Sequence, residues 1–383
     1  MGAIRLRYGL CAPPALRYDE LGGKSARLNR ACGMDVVSSG RERFEHDELA
    51  EVLSHYDVGV IRRAKEFSRG SRRAPKLLLD TPNGRFLLKR RAVGKDDPFK
   101  VAFSHTLLTH LQSKGIPVPA LVGTCDDQNS MLQLRGHVYE MFEYVAGERY
   151  NNSLEQTTHA GRTLAKYHRA VEDFYSDWTP PAGGYHNAPN VRAGLNAIPT
   201  VTSSHDSVFG HEAELLYLTQ LLHEEYDRAA QVAYEAGFRG WRLSIIHGDW
   251  HPGNMLFAGG KVCAVLDFDA ARYQPCVVDV AYGMLQFSIL RDQTEPDRWP
   301  DFFDETRMRR FLTGYLTKGA VPAEQREIIP ELMVEALIAE AAVPIAVTGS
   351  FGRLPGYGVL QMVSRKIGWL RENAERIRHW LLE

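Results

Sequence analysis

Apolar residues recur in short runs over the first third of the chain and at helical steps over the rest. In RFEHDELAEVLSHY (43–56), Phe44, Leu49, Val52 and Leu53 share one side of a helix. VGVI, KLLLD and GRFLLKR then read as strands. The last two are joined by TPNG, whose Asn-Gly pair signals a hairpin. A helix at about 97–113 stops before Gly115, and IPVPALVG leads into the strand-like SMLQL and HVYEMFEYV. From about 150 the period lengthens. Leu154, Gly161, Leu164, Ala165 and His168 share one helical face, and Leu215, Leu218, Leu222, Tyr226, Ala229 and Ala233 recur at steps of three and four. LSII and VCAVL are short strands among helices that resume at about 277, 303, 323 and 357. The Pro/Gly-rich stretch 179–200 reads as a surface loop, and residues 1–42 as a loose N-terminal extension.

This order predicts an α+β chain, with a small, mainly antiparallel β part before a larger α-helical part. At 383 residues the chain exceeds what one core usually holds, so two lobes are expected. Lys+Arg 46 against Asp+Glu 47 gives a formal net charge of −1, without the basic excess of a nucleic-acid binder. The five cysteines, at 11, 32, 125, 263 and 276, form no CxxC pair and suggest neither a disulfide framework nor a zinc site. A reducing cytoplasm is the expected location. The N-terminal apolar stretch is too short and broken for a signal peptide. The most apolar late stretch, ALIAEAAVPIAV, has 12 residues and carries Glu340. It reads as a buried helix, so no membrane span is expected.

One stretch carries chemistry. HGDWHPGN (247–254) follows the strand-like LSII, and after it come MLFA, the turn AGGK, VCAVL and DFD. A hairpin here brings Asp249, Asn254 and Asp267 together. An Asp able to accept a proton, with an Asn and an Asp that share a hard cation through oxygen, is what phosphoryl transfer requires. The spacing matches the kinase catalytic loop HRDxxxxN followed by a metal-binding Asp.

HGDWHPGNMLF…AVLDFD resembles the catalytic region of the aminoglycoside phosphotransferase, choline kinase and homoserine kinase group, small-molecule kinases of protein-kinase-like fold. The resemblance runs over roughly residues 45–380 and implies a two-lobed molecule. Its parts would be a nucleotide-binding N-lobe at 43–142, a hinge at 143–150 and an α-helical C-lobe at 151–383 holding the catalytic loop and acceptor site. It implies an ATP- and Mg²⁺-dependent enzyme that moves the γ-phosphate to a hydroxyl of a small molecule. Asp249 would be the base, Asn254 and Asp267 the Mg²⁺ ligands, His247 a scaffold residue and Asp279 a support for the loop. Lys89 would contact ATP phosphates. FSRGSRR, with Ser68, Gly70 and Ser71, would cover them, and the backbone from Glu140 to Phe142 would bind adenine.

Two positions depart from the group's pattern. The loop around Gly70 has a single glycine amid Arg69, Arg72 and Arg73, and the first helix has Ser104 and His105 where the group places a glutamate to pair with the strand lysine. Lys89 would then be oriented by another acid, or the active conformation would be held differently. The same departures define a rival reading, a nucleotide-binding pseudokinase with a scaffolding role. A protein Ser/Thr kinase is a third, opposed by HGD in place of HRD and by the lack of an APE-type segment. GGKS at 22–25 lacks the first glycine and the preceding strand of a phosphate loop. Specificity for the acceptor would lie in segments 179–212 and 286–305.

Overall fold

The computed structural model describes residues 41–202, 208–290 and 295–383. The extension read at 1–42 therefore lies, save for Arg41 and Glu42, outside the described residues. The architecture is α+β and divides into two compact units, one of residues 41–98 and 121–144, the other of residues 99–120 and 145–383.

The first unit contains α1 (His46–Ser54), β1 (Arg63–Glu66), β2 (Lys76–Thr81) and β3 (Gly84–Arg90). After α2 (Pro98–Ser113), which belongs to the other unit, come β4 (Leu132–Leu134) and β5 (His137–Glu143). The strands form one antiparallel sheet in the order β1-β2-β3-β5-β4. Side chains alternate across a strand. Leu79, Phe86, Leu88, Tyr139 and Met141 thus meet Val52 of α1 in one core, while Lys89 and Glu140 fall on the opposite face. Glu48 fixes α1 to this sheet. Its carboxylate takes the Glu45 N–H at 3.0 Å in a capping box, the Tyr139 hydroxyl at 2.7 Å and Arg90 Nη1 at 2.6 Å. Burial works against its charge, but these three partners hold its pKa below the usual carboxylate range.

VGVI is not a strand. Gly59 has φ of +75°, which breaks extended pairing, and the strand starts at Arg63. All four residues of β1 are exposed, as suits an edge strand. The TPNG hairpin forms as read, with Thr81 opposite Gly84.

The helix at 98–113 packs with the second unit rather than within an N-lobe of 43–142. Phe103 meets Phe174 edge-on at 5.9 Å, His110 Nε2 lies 2.7 Å from the Ala170 carbonyl, and the Val265 N–H reaches the Pro117 carbonyl at 2.8 Å. Its apolar residues Val101, Phe103, Leu107 and Leu111 are buried, so neighbours decide its membership.

The second unit continues with α3 (Leu154–Ala170), α4 (Pro189–Thr202), α5 (Glu212–Glu235), β6 (Ser244–Ile246), β7 (Met255–Ala258), β8 (Lys261–Val265), β9 (Arg272–Gln274) and α6 (Val277–Ser288). It ends with α7 (Glu305–Leu316), α8 (Ala323–Glu327), α9 (Ile329–Thr348), the two-residue strands β10 (Ser350–Phe351) and β11 (Leu354–Pro355), and α10 (Gly356–Leu382). Part of the stretch read as a loop, 179–200, is α4. Pro189 opens the helix at a position that needs no N–H donor, and Val191, Leu195, Ile198 and Thr202 make a buried stripe. The apolar run around Glu340 is a buried helix as read, lying within α9. Among the described residues no helix is long and apolar enough to cross a membrane.

Candidate active site

The chain leaves β6 at His247 and turns at Gly248, whose φ is +73°; a Cβ there would stand 2.5 Å from the Ala270 carbonyl oxygen. Only glycine meets both demands. Asp279, in the first turn of α6, accepts the N–H of His247 at 2.7 Å and of Gly248 at 2.9 Å, and pairs with His168 Nε2 at 3.2 Å. Asp279 has no exposed surface. Burial holds the His247 pKa below its usual range, against the pull of Asp279, Asp249 and Asp267. The neutral ring accepts the Asp249 N–H at Nδ1 (3.2 Å) and so donates from Nε2 to the Leu266 carbonyl (3.2 Å). It is a scaffold residue that ties the loop to the residue before Asp267.

Asp249 faces several donors. Asn254 Nδ2 reaches its Oδ2 at 2.8 Å and its carbonyl at 3.1 Å. His251 accepts the Gly253 N–H at Nδ1 (2.9 Å), which leaves a hydrogen on Nε2, 3.5 Å from Asp249 Oδ2. Burial raises the Asp249 pKa, but His251, His247 and Asn254 outweigh it and keep the group below the ordinary carboxylate range, ionised at neutral pH. Trp250 is fully buried against Tyr167 and His247, a packing residue.

The β7–β8 hairpin returns the chain to this loop, where the Leu266 N–H donates to the Asn254 carbonyl at 2.9 Å. Asp267 follows with φ of +62°, a left-handed conformation uncommon outside glycine. The Asn254 amide nitrogen is committed to Asp249. Its oxygen and the Asp267 carboxylate are hard oxygen donors of the kind that could serve Mg²⁺ bound partly through substrate phosphates.

In the first unit, Lys89 Nζ lies 3.1 Å from Glu140 Oε2, and Arg91 Nη2 lies 2.7 Å from Glu140 Oε1. Register puts Lys89 opposite Glu140, so a strand acid partners the lysine. Register also shows which partners the backbone from Glu140 to Phe142, expected to bind adenine, has within the sheet. The Tyr144 N–H donates to Arg85 O at 2.8 Å and the Arg91 N–H to Val138 O at 2.9 Å. Antiparallel alternation then makes Leu87–Phe142 and Lys89–Glu140 hydrogen-bonded pairs. The Met141 carbonyl accepts from the Val122 N–H at 2.9 Å. The peptide groups of Glu140 and Phe142 and the Met141 carbonyl thus serve the sheet. Ser68, Gly70 and Ser71 occupy the turn between β1 and β2. Arg41 bonds the Ser68 and Ser71 carbonyls at 2.6 and 3.1 Å, and Lys76 bonds the Arg69 carbonyl at 3.1 Å.

Four site residues escaped the sequence reading. The Tyr282 hydroxyl lies 3.2 Å from Asp249 Oδ1 and also bonds Glu340 Oε1, and Gln286 Nε2 donates to Glu340 Oε2. Tyr185 stacks on Tyr282 at 5.0 Å and donates to the Gly248 carbonyl at 3.0 Å. Two signals were present, the lone acid in the apolar run of α9 and a tyrosine three residues after Asp279, on one helix face.

Comparison with known proteins gives a family and a shared fold. The model described as "Phosphotransferase enzyme family" matches residues 63–327. A homoserine kinase of Rhodopseudomonas palustris (strain BisA53) is 26% identical over 292 residues, covering 75% of this chain and 79% of that protein. Among solved structures, a microcompartment-associated aminopropanol kinase superposes with a TM-score of 0.65 at 15% identity, over 87% of this chain and 98% of its own. An aminoglycoside phosphotransferase of Alicyclobacillus acidocaldarius superposes with a TM-score of 0.62 at 16% identity, over 86% and 95%.

Proposed function

Because the chain belongs to the phosphotransferase enzyme family, and is an ATP-dependent kinase of small-molecule alcohols, we propose that Asp249 is its base and a small amino alcohol its acceptor. The observation that carries the first part is the convergence on Asp249. An ionised carboxylate is pinned by Asn254 and His251, on a loop fixed from behind by Asp279. Asp249 orients the acceptor hydroxyl and takes its proton as the oxygen attacks the γ-phosphorus in line. Asn254 and Asp267 would hold Mg²⁺, which when bound neutralises charge on the phosphates. Lys89, oriented by Glu140, takes ATP phosphate, and the 68–71 turn would cover the phosphates. The acceptor class rests on the relatives named homoserine kinase and on the fold shared with an aminopropanol kinase. The enzyme would work in the cytoplasm without a nucleic-acid or membrane partner. The complete Asp249, Asn254 and Asp267 set speaks against a pseudokinase.

The test is a thermal-shift titration with ATP, with and without Mg²⁺, on wild type and Asp267→Asn, followed by ADP release with L-homoserine and 1-amino-2-propanol. A ligand at about 100 times its Kd stabilises the native state by about 2.7 kcal/mol. Wild type should show that gain chiefly with Mg²⁺, and the variant should lose the Mg²⁺ dependence. No shift from ATP under either condition overturns the kinase reading, whereas a shift without ADP release from either alcohol overturns the acceptor class alone.

Glu140→Gln should raise KM for ATP by roughly 10- to 100-fold, since a hydrogen bond to a charged group contributes about 1.5–3 kcal/mol. KM for the acceptor should hardly change. An unchanged ATP KM would remove Glu140 as the group that orients Lys89.

A further inference from the structure

Tyr282, Gln286 and Glu340 have no part in the roles assigned so far, yet they form one chain that ends on the base. Gln286 Nε2 donates to Glu340 Oε2, Glu340 Oε1 meets the Tyr282 hydroxyl, and that hydroxyl lies 3.2 Å from Asp249 Oδ1. The groups come from three elements. Tyr282 and Gln286 stand one turn apart on α6, Glu340 lies on α9, and Asp249 is on the loop after β6. Tyr282 is buried, and the Tyr185 ring stacked on it keeps it in place.

Counting hydrogens decides the state of the chain. Two contacts, Glu340 Oε1 to Tyr282 Oη and Tyr282 Oη to Asp249 Oδ1, need two hydrogens. The phenol supplies one. Asp249, read as the base, must be ionised to take the acceptor's proton and supplies none. If Glu340 were ionised as well, one carboxylate oxygen would face a phenol lone pair, and a second negative charge would sit beside the base. A carboxylic acid at Glu340 resolves both problems. Its O–H donates to Tyr282 Oη, the Tyr282 O–H donates to Asp249 Oδ1, and the Gln286 N–H satisfies the other Glu340 oxygen. The surroundings agree. The groups facing Glu340 are Asp249 and His251 of the loop, Tyr282 and Gln286 of α6 and Tyr185 before α4, and among the described residues no lysine or arginine pairs with it. Burial pushes the Glu340 carboxyl up, the Tyr282 hydrogen bond pulls against it, and the charge of Asp249 adds to the rise.

We propose that Glu340 is a carboxylic acid held neutral during turnover, a positioning residue that donates through Tyr282 to Asp249 Oδ1 and so fixes the plane of the base. The proposal rests on the reading of Asp249 as the base. It gives the acid of α9 a role distinct from binding a cationic acceptor. A hydrogen-bonded acid orients the base without competing with it for the acceptor's proton, whereas an anion at the same place would attract that proton and draw the Tyr282 hydrogen away from Asp249. Glutamine at 340 is the informative change, because its N–H₂ donates permanently to Tyr282 while its carbonyl accepts from Gln286, as the neutral acid does.

Two measurements on the full chain test this, and the first does not depend on kinase activity. Infrared difference spectra of wild type at neutral pH should contain the C=O stretch of a protonated, hydrogen-bonded carboxylic acid, shifted in D₂O and absent from Glu340→Gln. No such band, or a band that survives the substitution, overturns the proposal even if the kinase reading holds. The second is the pH profile of ADP release with L-homoserine as acceptor, or with ATP and water alone. Glu340→Gln should keep a kcat near wild type and lose an alkaline limb that wild type shows as Glu340 ionises. Tyr282→Phe and Glu340→Ala should each lower kcat about tenfold, the effect of one hydrogen bond to a charged group. Loss of kcat in Glu340→Gln equal to that in Glu340→Ala, or a raised acceptor KM with kcat unchanged, means that the charge of Glu340 is used, and overturns the proposal. A band that behaves as expected, beside an Asp249→Asn enzyme that still turns over, would keep the neutral Glu340 and reject the base.

Discussion

Replacing Asp249 with asparagine should lower kcat by about 10²- to 10⁴-fold, the usual contribution of a positioned general base. The substitution keeps the shape of the side chain and removes its ability to accept a proton at neutral pH. Its supports remain, because the Asp249 carbonyl still receives Asn254 Nδ2 at 3.1 Å and the backbone N–H still reaches His247 Nδ1 at 3.2 Å. Nucleotide affinity should therefore stay close to wild type, since Asn254, Asp267 and Lys89 are untouched. The effect belongs in kcat rather than in the KM for ATP, as expected for an interaction used in the transition state. ADP release at saturating acceptor, set beside an ATP-induced melting shift on the same sample, measures both. Turnover within a few fold of wild type would place the base elsewhere, and loss of the ATP shift would show that the side chain also holds nucleotide.

The parts of this site that lie close together along the chain are legible in the sequence itself. The 247–254 loop, the hairpin after it and Asp267 span 21 positions, and their order dictates that strand, turn and strand bring them back together. The Asn-Gly turn between β2 and β3 is legible for the same reason, because local backbone demands select the residue types. Where the sequence misleads, the deciding interaction is distant or polar. β1 is RAKE, with no apolar signal, and exists because its peptide groups pair with β2. α4 is hidden under its prolines, Pro189 in the first turn and Pro199 inside the helix. The partner of Lys89 lies 51 residues away on β5 and shows itself only through register, not through any spacing. Glu340 is visible as an oddity in an apolar run. Its meaning needs Tyr282, 58 residues distant.

Asp279→Ala should be the most destabilising single change near this site, by about 3–5 kcal/mol, the cost of removing one partner from a buried charge pair. The arithmetic follows from what is left behind. Two backbone donors, the N–H groups of His247 and Gly248, lose their acceptor in a place where water does not reach, and His168 loses its carboxylate. Burial alone would keep His168 neutral; Cys276, Tyr315 and Asp279 outweigh it and hold its pKa above the usual imidazole range, so the loss of Asp279 removes one of the groups that sustain its charge. Asp279→Asn should cost less, because its carbonyl still serves one of the two N–H groups while its amide nitrogen opposes the other. The two substitutions near the base thus separate by readout. Asp249→Asn should leave the melting temperature almost unchanged and lower kcat by the same roughly 10²- to 10⁴-fold. Asp279→Ala should lower the melting temperature by roughly 5–15 °C, from a few degrees per kcal/mol in a domain of this size, and reduce turnover as the loop loses its anchor. If Asp279→Ala melts within a degree or two of wild type while turnover collapses, then Asp279 acts on the reacting groups rather than through the backbone of the loop, and the anchoring role is wrong.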